Sequence, residues 1–257
     1  MTEKRPTNQL TGRGGSICLA LVLTGFAYAQ ERTMPASPSA FDPHDISGFW
    51  ELYFDGQRVP RAQLTDAVTK AVLDAQAAKD AKAVRWCNIL GMPFLMGVNR
   101  PLDIRQGKRE IVIAPESAVA TPRHLYLDRS AHINADVWDP NTVGDSIAHW
   151  EGDTLVVDTI GFEPEHGMTA IPGGGFRTAD SRLVERFRLL KNGSLLSVMF
   201  TWIDPKVFRT PHTYEFRYTR APRDYEARLP VTCDPFDEER TRFLTGSPQS
   251  GNSARLR

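Results

Sequence analysis

Beyond Pro101 the chain turns to short runs in which apolar side chains recur at every second position, the period of a strand with one covered face. Residues 213–219 show it most cleanly: Tyr214, Phe216 and Tyr218 point one way, Glu215, Arg217 and Thr219 the other. Runs 182–190 and 195–203 flank Lys191-Asn192-Gly193-Ser194, and Asn-Gly between two such runs predicts a hairpin with a type I′ turn. Runs 146–150 and 154–160 flank Glu151-Gly152-Asp153, where Gly152 can take the positive φ of a tight turn. Trp150, Leu155, Val156, Val157 and Ile160 give this second hairpin apolar material on both faces, which places it inside a sheet and away from its rim. Residues 109–113 and 124–127 are shorter runs, and 45–54, with Gly48-x-Trp50, reads as an opening strand.

One segment departs from the period of two. Over 61–84, Leu64, Ala67, Val68, Ala71, Val72, Ala75 and Ala78 recur at helical spacing, with Asp66, Lys70, Asp74, Lys79 and Asp80 on the other side. This predicts one amphipathic helix packed on the sheet or over its mouth. Residues 85–102 are apolar but broken by Gly91, Pro93 and Gly97, which suits a loop folded across an opening. Residues 163–179, with Gly173-Gly174-Gly175, form a long Gly-rich loop. Successive strands without helices between them imply an antiparallel meander, and about eight strands whose edges need protection close most simply into a barrel. The expected fold class is mainly β: an antiparallel β-barrel with one N-terminal helix.

Composition narrows the partners. The 257 residues carry 31 Lys and Arg against 31 Asp and Glu, so no basic excess exists to drive nucleic-acid binding. Lys4, Arg5 and Arg13 precede an apolar run at 17–26 that ends in Ala27-Tyr28-Ala29, the pattern of a secretory signal cleaved before Gln30. The run is too short to span a bilayer comfortably. The expected organisation is a signal peptide over 1–29, a disordered lead-in over 30–44, one barrel domain over 45–244 and a disordered tail over 245–257. Cys87 and Cys233 remain after cleavage, and in an oxidising compartment such a pair predicts a disulfide. The expected location is the periplasm or the medium.

The stretch 144–162 reads G-D-S-I-A-H-W-E-G-D-T-L-V-V-D-T-I-G-F. It resembles the G-x-S-I-x-x-W-E-G-D-T-L-V-V-D-T-x-G-F core of a widespread set of secreted bacterial proteins, most without an assigned activity. The likeness extends to Arg123-His124-Leu125-Tyr126-Leu127-Asp128 with His132, to Val184-Glu185-Arg186-Phe187, and to Asp204-Pro205 and Phe208-Arg209-Thr210-Pro211. It implies a lipocalin-like barrel and says little about activity. His149 stands where the similar proteins more often have Arg, His212 where they more often have Trp, and 173–176 replaces a region where they usually show His.

The six histidines, at 44, 124, 132, 149, 166 and 212, form no H-x-H, H-x-x-x-H or H-E-x-x-H arrangement, so no local metal-ligand pair is visible. No G-x-S-x-G elbow, P-loop or dinucleotide fingerprint is present. General acid–base chemistry in a largely apolar cavity is what remains. The candidate catalytic residues are His149, Tyr126, His132, Asp158 and Glu185, and the candidate substrate contacts are Arg209, His212, Trp202 and Met96. His149 shares a face with Ile147, opposite Ser146, Ala148 and Trp150, and periodicity leaves open which face looks inward. Glu185 lies opposite Arg186 and Arg188, and a structural salt bridge to Arg209 or Arg186 is the equal alternative to a catalytic role. The leading expectation is an exported lyase or isomerase, needing no cofactor, that acts on a small hydrophobic or aromatic molecule such as a lignin-derived phenolic, for example by formaldehyde-releasing elimination. A carrier of an apolar ligand is the alternative, and a structural envelope protein with a side-chain-filled barrel is the third. Neither nucleic acid nor stable membrane insertion is expected; a homodimer is compatible with the chain.

Overall fold

The computed structural model describes residues 41–56, 58–85, 91–97, 100–116, 121–134, 136–164, 168–222 and Tyr225. The expected signal peptide, Cys87, Cys233 and the tail lie outside the described residues. Among the described residues nine strands close into one barrel: β1 (Gly48–Tyr53), β2 (Leu102–Gln106), β3 (Glu110–Pro115), β4 (Arg123–Tyr126), β5 (Asp145–Glu151), β6 (Thr154–Ile160), β7 (Arg182–Leu190), β8 (Leu195–Ile203) and β9 (His212–Arg220). Strand β9 returns to β1, pairing Trp50 with Arg220 and Tyr53 with Arg217, so the sheet closes on itself.

The barrel is mixed, and this corrects the antiparallel expectation. Strand β4 lies parallel to β5, with Leu125 beside Ser146 and Tyr126 beside Ile147. A parallel neighbour cannot be reached through a two-residue hairpin, because the chain must first travel back to the starting end. Residues 127–134 and 136–144 belong to that crossing, and Arg129 and His132 within it meet Asp145 on the outer face. Strand β2 falls where no strand is expected: only Leu102 and Ile104 carry the alternation between Pro101 and Gly107. The turn after β7 also differs from a type I′ turn. Leu190 pairs with Leu195, and Lys191, Asn192 and Gly193 all take positive φ, at 49°, 52° and 80°. Gly193 is held there by its surroundings: a Cβ would meet Phe41 at 3.1 Å, and its carbonyl accepts from Arg220 Nε at 2.8 Å.

Inward positions are filled by side chains. Trp50, Leu155, Val157, Phe187, Val198, Phe200 and Trp202 all show 0% exposure, so no water-sized probe touches them. Trp50 plugs the barrel, with its indole N–H donating to Ile46 O at 2.9 Å and the Arg220 guanidinium 4.2 Å from its ring centroid. Of the apolar segment expected to fold across an opening, the described part forms a short helix, α2 (Phe94–Gly97), that buries Leu95 and Met96, and Tyr218 Oη donates to Met96 O at 2.6 Å.

One polar row runs through this interior. Arg123 on β4, Ser146 on β5, Thr159 on β6 and Glu185 on β7 are each at 0% exposure. Arg123 grips Glu185 through two nitrogens, Nη1 donating at 2.8 Å, while Nη2 also donates to Thr159 Oγ1 at 2.8 Å and Nε to Ser146 Oγ at 3.3 Å. The partner of Glu185 is therefore neither Arg186 nor Arg209. Arg186 lies on the outer face bonded to Glu151, and Arg209 reaches Asp66 and the carbonyl of Leu64.

Helix α1 (Lys70–Arg85) is shorter than expected and docks by the other face. Residues 62–65 are drawn off by backbone bonds, Ala62 to Gly173, Thr65 to Val207 and Arg209 to Gln63. Ala71, Val72, Ala75 and Ala78 face solvent. The contact side carries Gln76, Lys79 and Asp80: Asp80 accepts from Thr169 N, Thr169 Oγ1 and Ala170 N at 3.0–3.1 Å, and Lys79 Nζ donates to Pro164 O at 2.7 Å. The Gly-rich loop is thus a docking surface for the helix, with its amides as donors.

Two stability measurements check this core. Trp50→Ala should cost about 3–5 kcal/mol in urea unfolding, from lost burial and the cavity left behind. Arg123→Met should cost a similar amount, roughly 3–5 kcal/mol, because Glu185 loses its partner inside the barrel, whereas Arg123→Met with Glu185→Leu should recover most of it. Additive losses in the double variant would contradict a coupled buried pair.

Candidate functional site

The nine residues named from sequence separate into three places. Glu185, Trp202 and Met96 are in the packed interior, each at 0% exposure. Glu185 is consumed by Arg123, the Trp202 indole donates to Tyr214 Oη at 3.3 Å, and Met96 supplies a carbonyl to Tyr218. Burial raises the phenols of Tyr214 and Tyr218 above the usual tyrosine value, with the Glu185 charge adding to it, so both stay protonated. No described interior group is both ionisable and reachable. Arg209 and His212 form the second set. His212 is 5% exposed, its Nε2 2.6 Å from Pro172 O and its ring 5.7 Å from those of Phe208 and Tyr214. Both residues secure the loops that precede β9.

The third set converges. Tyr126, His132, His149 and Asp158 all lie on the outer face around the β4–β5 junction. Register explains this: Tyr126 neighbours Ile147, Ile147 neighbours Asp158, and His149 neighbours Val156, so the row is continuous across three strands. Ser146 and Ala148, the alternate positions, are the buried ones. His149 therefore points out of the barrel, not into its cavity as the acid–base reading had required.

At the centre of the set, His132 from the crossing segment stands between two carboxylates. Its Nδ1 is 2.9 Å from Asp145 Oδ2 and its Nε2 is 3.5 Å from Asp158 Oδ2. A carboxylate only accepts, so Nδ1 carries the proton of the first contact. Nε2 is buried and has no hydrogen-bond partner. Asp145 also accepts from Arg129 Nη2 at 2.6 Å and from the Ile133 amide at 3.1 Å, and Asp158 takes both Nε and Nη2 of Arg182 at 2.7 Å. Arg129 lies 3.7 Å from the Tyr126 ring centroid. Burial works against ionisation of Asp145, but the bonds from Arg129, His132 and the Ile133 amide outweigh it and hold the carboxyl below its usual value. Asp158 follows the same balance, burial being outweighed by Arg182 and then His132. Of these groups, Arg129, Asp145 and Arg182 were not singled out from sequence. Asp145 sits inside the 144–162 stretch, yet nothing local says that a segment 12 residues upstream folds over it.

Two clefts open beside this cluster. One, of about 520 Å³, has Leu127, Ile147 and Ala148 as its apolar part and Arg129, Ser130, His149 and Asp158 as its polar part. The other, of about 690 Å³, is bounded by Trp150, Gln106, Asp42, Asp45 and Lys108, and again by Leu127 and His149. Trp150 is half-buried, and the ring of His44 meets it edge-on with centroids 4.8 Å apart. His149 is exposed, its Nε2 3.1 Å from Glu151 Oε1. Arg186 first and His149 second hold Glu151 below its usual value. Among the described residues no cluster has the arrangement of a metal-ion site, and no helix is long and apolar enough to cross a membrane.

The depressed carboxyl of Asp145 gives a pH signature. Its contribution to stability is present above the unfolded value of about 4 and is lost as pH falls through the lower folded value. Asp145→Asn should be less stable than the parent at pH 7, with the gap closing as urea unfolding is repeated down to pH 3. A gap constant over that range would mean that ionisation of Asp145 does not stabilise the fold.

Compared with models of known protein families and with curated proteins, the chain matches none.

Proposed function

We propose that this protein is an exported enzyme that moves a proton on a small substrate held on the outer face at the β4–β5 junction. The observation that carries the reading is a chain of titratable groups leading to one cleft: Asp145, His132 and Asp158 in succession, with Asp158 and His149 both lining the 520 Å³ space. His149 is the accessible imidazole and acts as the base or acid that touches substrate. Glu151, 3.1 Å from its Nε2, orients it, while Asp158, fixed by two bonds from Arg182 and with His132 Nε2 3.5 Å behind it, faces the same cleft. On opposite sides of a paired register, His149 and Asp158 are diagonal neighbours, about 7–8 Å apart at the backbone, which leaves room for a substrate atom between them. Lyase or isomerase chemistry needing no cofactor fits groups that only exchange protons, and a neutral phenolic substrate fits an aliphatic floor with a polar rim. Ala27-Tyr28-Ala29 supports export and maturation near Gln30. Gly48-x-Trp50 at the start of a closed barrel, with Arg220 over the indole, supports kinship with lipocalin-like barrels and with the secreted bacterial proteins that the 144–162 stretch resembles.

The filled interior favours a second reading. A barrel whose inward side chains show no exposure offers an internal ligand no space against them, which weighs against a carrier of the lipocalin kind and for a structural envelope protein.

Mass spectrometry of purified protein incubated with phenolic monomers and dimers separates the two. Under the enzymatic reading some member of the panel is converted. His149→Gln and Asp158→Asn then fold normally and lose about two orders of magnitude in rate. No conversion across the panel, or full activity in both variants, would leave the structural reading in place.

A further inference from the structure

The two clefts share two residues, Leu127 and His149, and no others. We infer that they act as one groove and that its ligand is a two-lobed molecule straddling His149, with an uncharged apolar lobe beside Ile147 and a hydroxyl-bearing lobe beside Trp150. This inference rests on the outer-face site proposed above and names its substrate class.

The geometry of β5 explains why the groove is double. Strand β4 ends at Tyr126 and pairs with β5 only at Ser146 and Ile147, whereas β5 continues to Glu151. Beyond Tyr126 the edge of β5 therefore has no described strand beside it, and there His149 on the outer face and Trp150 on the opposite face both border the second cleft. Toward Ile147 the space is covered by the crossing segment, and toward Trp150 it is bounded by the lead-in at Asp42–Ser47 and the β2–β3 turn at Gln106–Lys108. His149 stands at the saddle, so a bond undergoing proton transfer lies between two substituents, one in each cleft.

Charge and shape set the character of each lobe. On the Ile147 side every charged group already has a partner: Arg129 with Asp145 at 2.6 Å, Asp158 with Arg182 at 2.7 Å, and Asp128 with Arg109 at 2.6 Å. A charged lobe there would lose hydration and find no free counter-charge, so a neutral group is preferred. On the Trp150 side, Asp42 and Asp45 each commit one oxygen to a backbone amide, of His44 and Ser47 respectively, both at 2.9 Å. Their other oxygens accept from a hydroxyl, and the half-buried indole offers a ring a flat neighbour.

The test uses 4-benzyloxyphenol as the two-ring probe, with phenol and benzyl alcohol as single-ring controls and 4-benzyloxybenzoate as the charged analogue. Binding is followed by NMR through the Trp150 indole N–H, the Ile147 methyls and the His149 ring. The two-ring phenol should bind about tenfold or more tighter than either single ring and move all three reporters, because the second lobe binds as an intramolecular event. Ile147→Glu, an outer-face change that leaves the barrel interior intact, should abolish that advantage while phenol still shifts Trp150. Equal affinity for one and two rings, movement confined to one cleft, tighter binding of the benzoate, or no binding by any probe would each overturn the inference. Binding without turnover of any tested compound would instead sink the enzymatic reading and leave the groove. Turnover of single-ring molecules without preference would do the reverse.

Discussion

An arginine and a glutamate at 0% exposure dictate much of this barrel. Neither Arg123 nor Glu185 tolerates burial alone; the desolvation of each is offset only by the other and by the hydroxyls of Ser146 and Thr159. Those four residues belong to four successive strands. A slip of one residue at β4, β5, β6 or β7 would turn one member outward and strand a charge or hydroxyl in the apolar interior. The pair thus contributes less to net stability than to register. It also fixes the outer face: once Ser146 and Thr159 look inward, Asp145, Ile147 and Asp158 must look outward.

The outer site inherits its geometry from that register and from the parallel junction. Because β4 and β5 run the same way, the chain between them must cross back, and it brings Arg129 and His132 with it. Asp145, at the start of β5, is where the crossing lands. Its bonds to Arg129, His132 and the Ile133 amide close the loop onto the sheet, and His132 carries the connection one strand further toward Asp158. The same groups therefore hold the crossover in place and line up ionisable atoms beside a cleft. Structural and chemical roles are not competing explanations for these residues, since an oriented imidazole needs a rigid neighbour on one side to be useful on the other.

Several charges around this site are compensated locally: Arg182 by Asp158, Arg186 by Glu151 and Arg109 by Asp128. Such exposed pairs contribute little to stability. Paired charges of this kind cancel most of one another's field at a distance.

Local pattern alone was enough for much of the fold. The bounds 182–190 and 195–203 coincide with β7 and β8, the strict alternation at 213–219 lies within β9, and Gly152 takes a φ of 54° in the tight turn foreseen for it. These features depend on neighbours within two to four residues, which is the range over which sequence speaks directly. What failed depended on distant partners. The apolar stripe of α1 faces solvent because Asp80 finds the amides of Thr169 and Ala170, some ninety positions away. The β4–β5 pair is parallel because of how the barrel closes, and no residue in either strand encodes direction. Tyr126, His132, His149 and Asp158 were legible as chemistry-bearing residues, yet their assembly on the outer face, and the loss of Glu185 to Arg123, were decided by register across four strands. Sequence determined most of the strands and which residues carry titratable groups; tertiary structure alone decided which side of the wall each one faces, because a period of two leaves inside and outside equivalent until a sheet closes on itself.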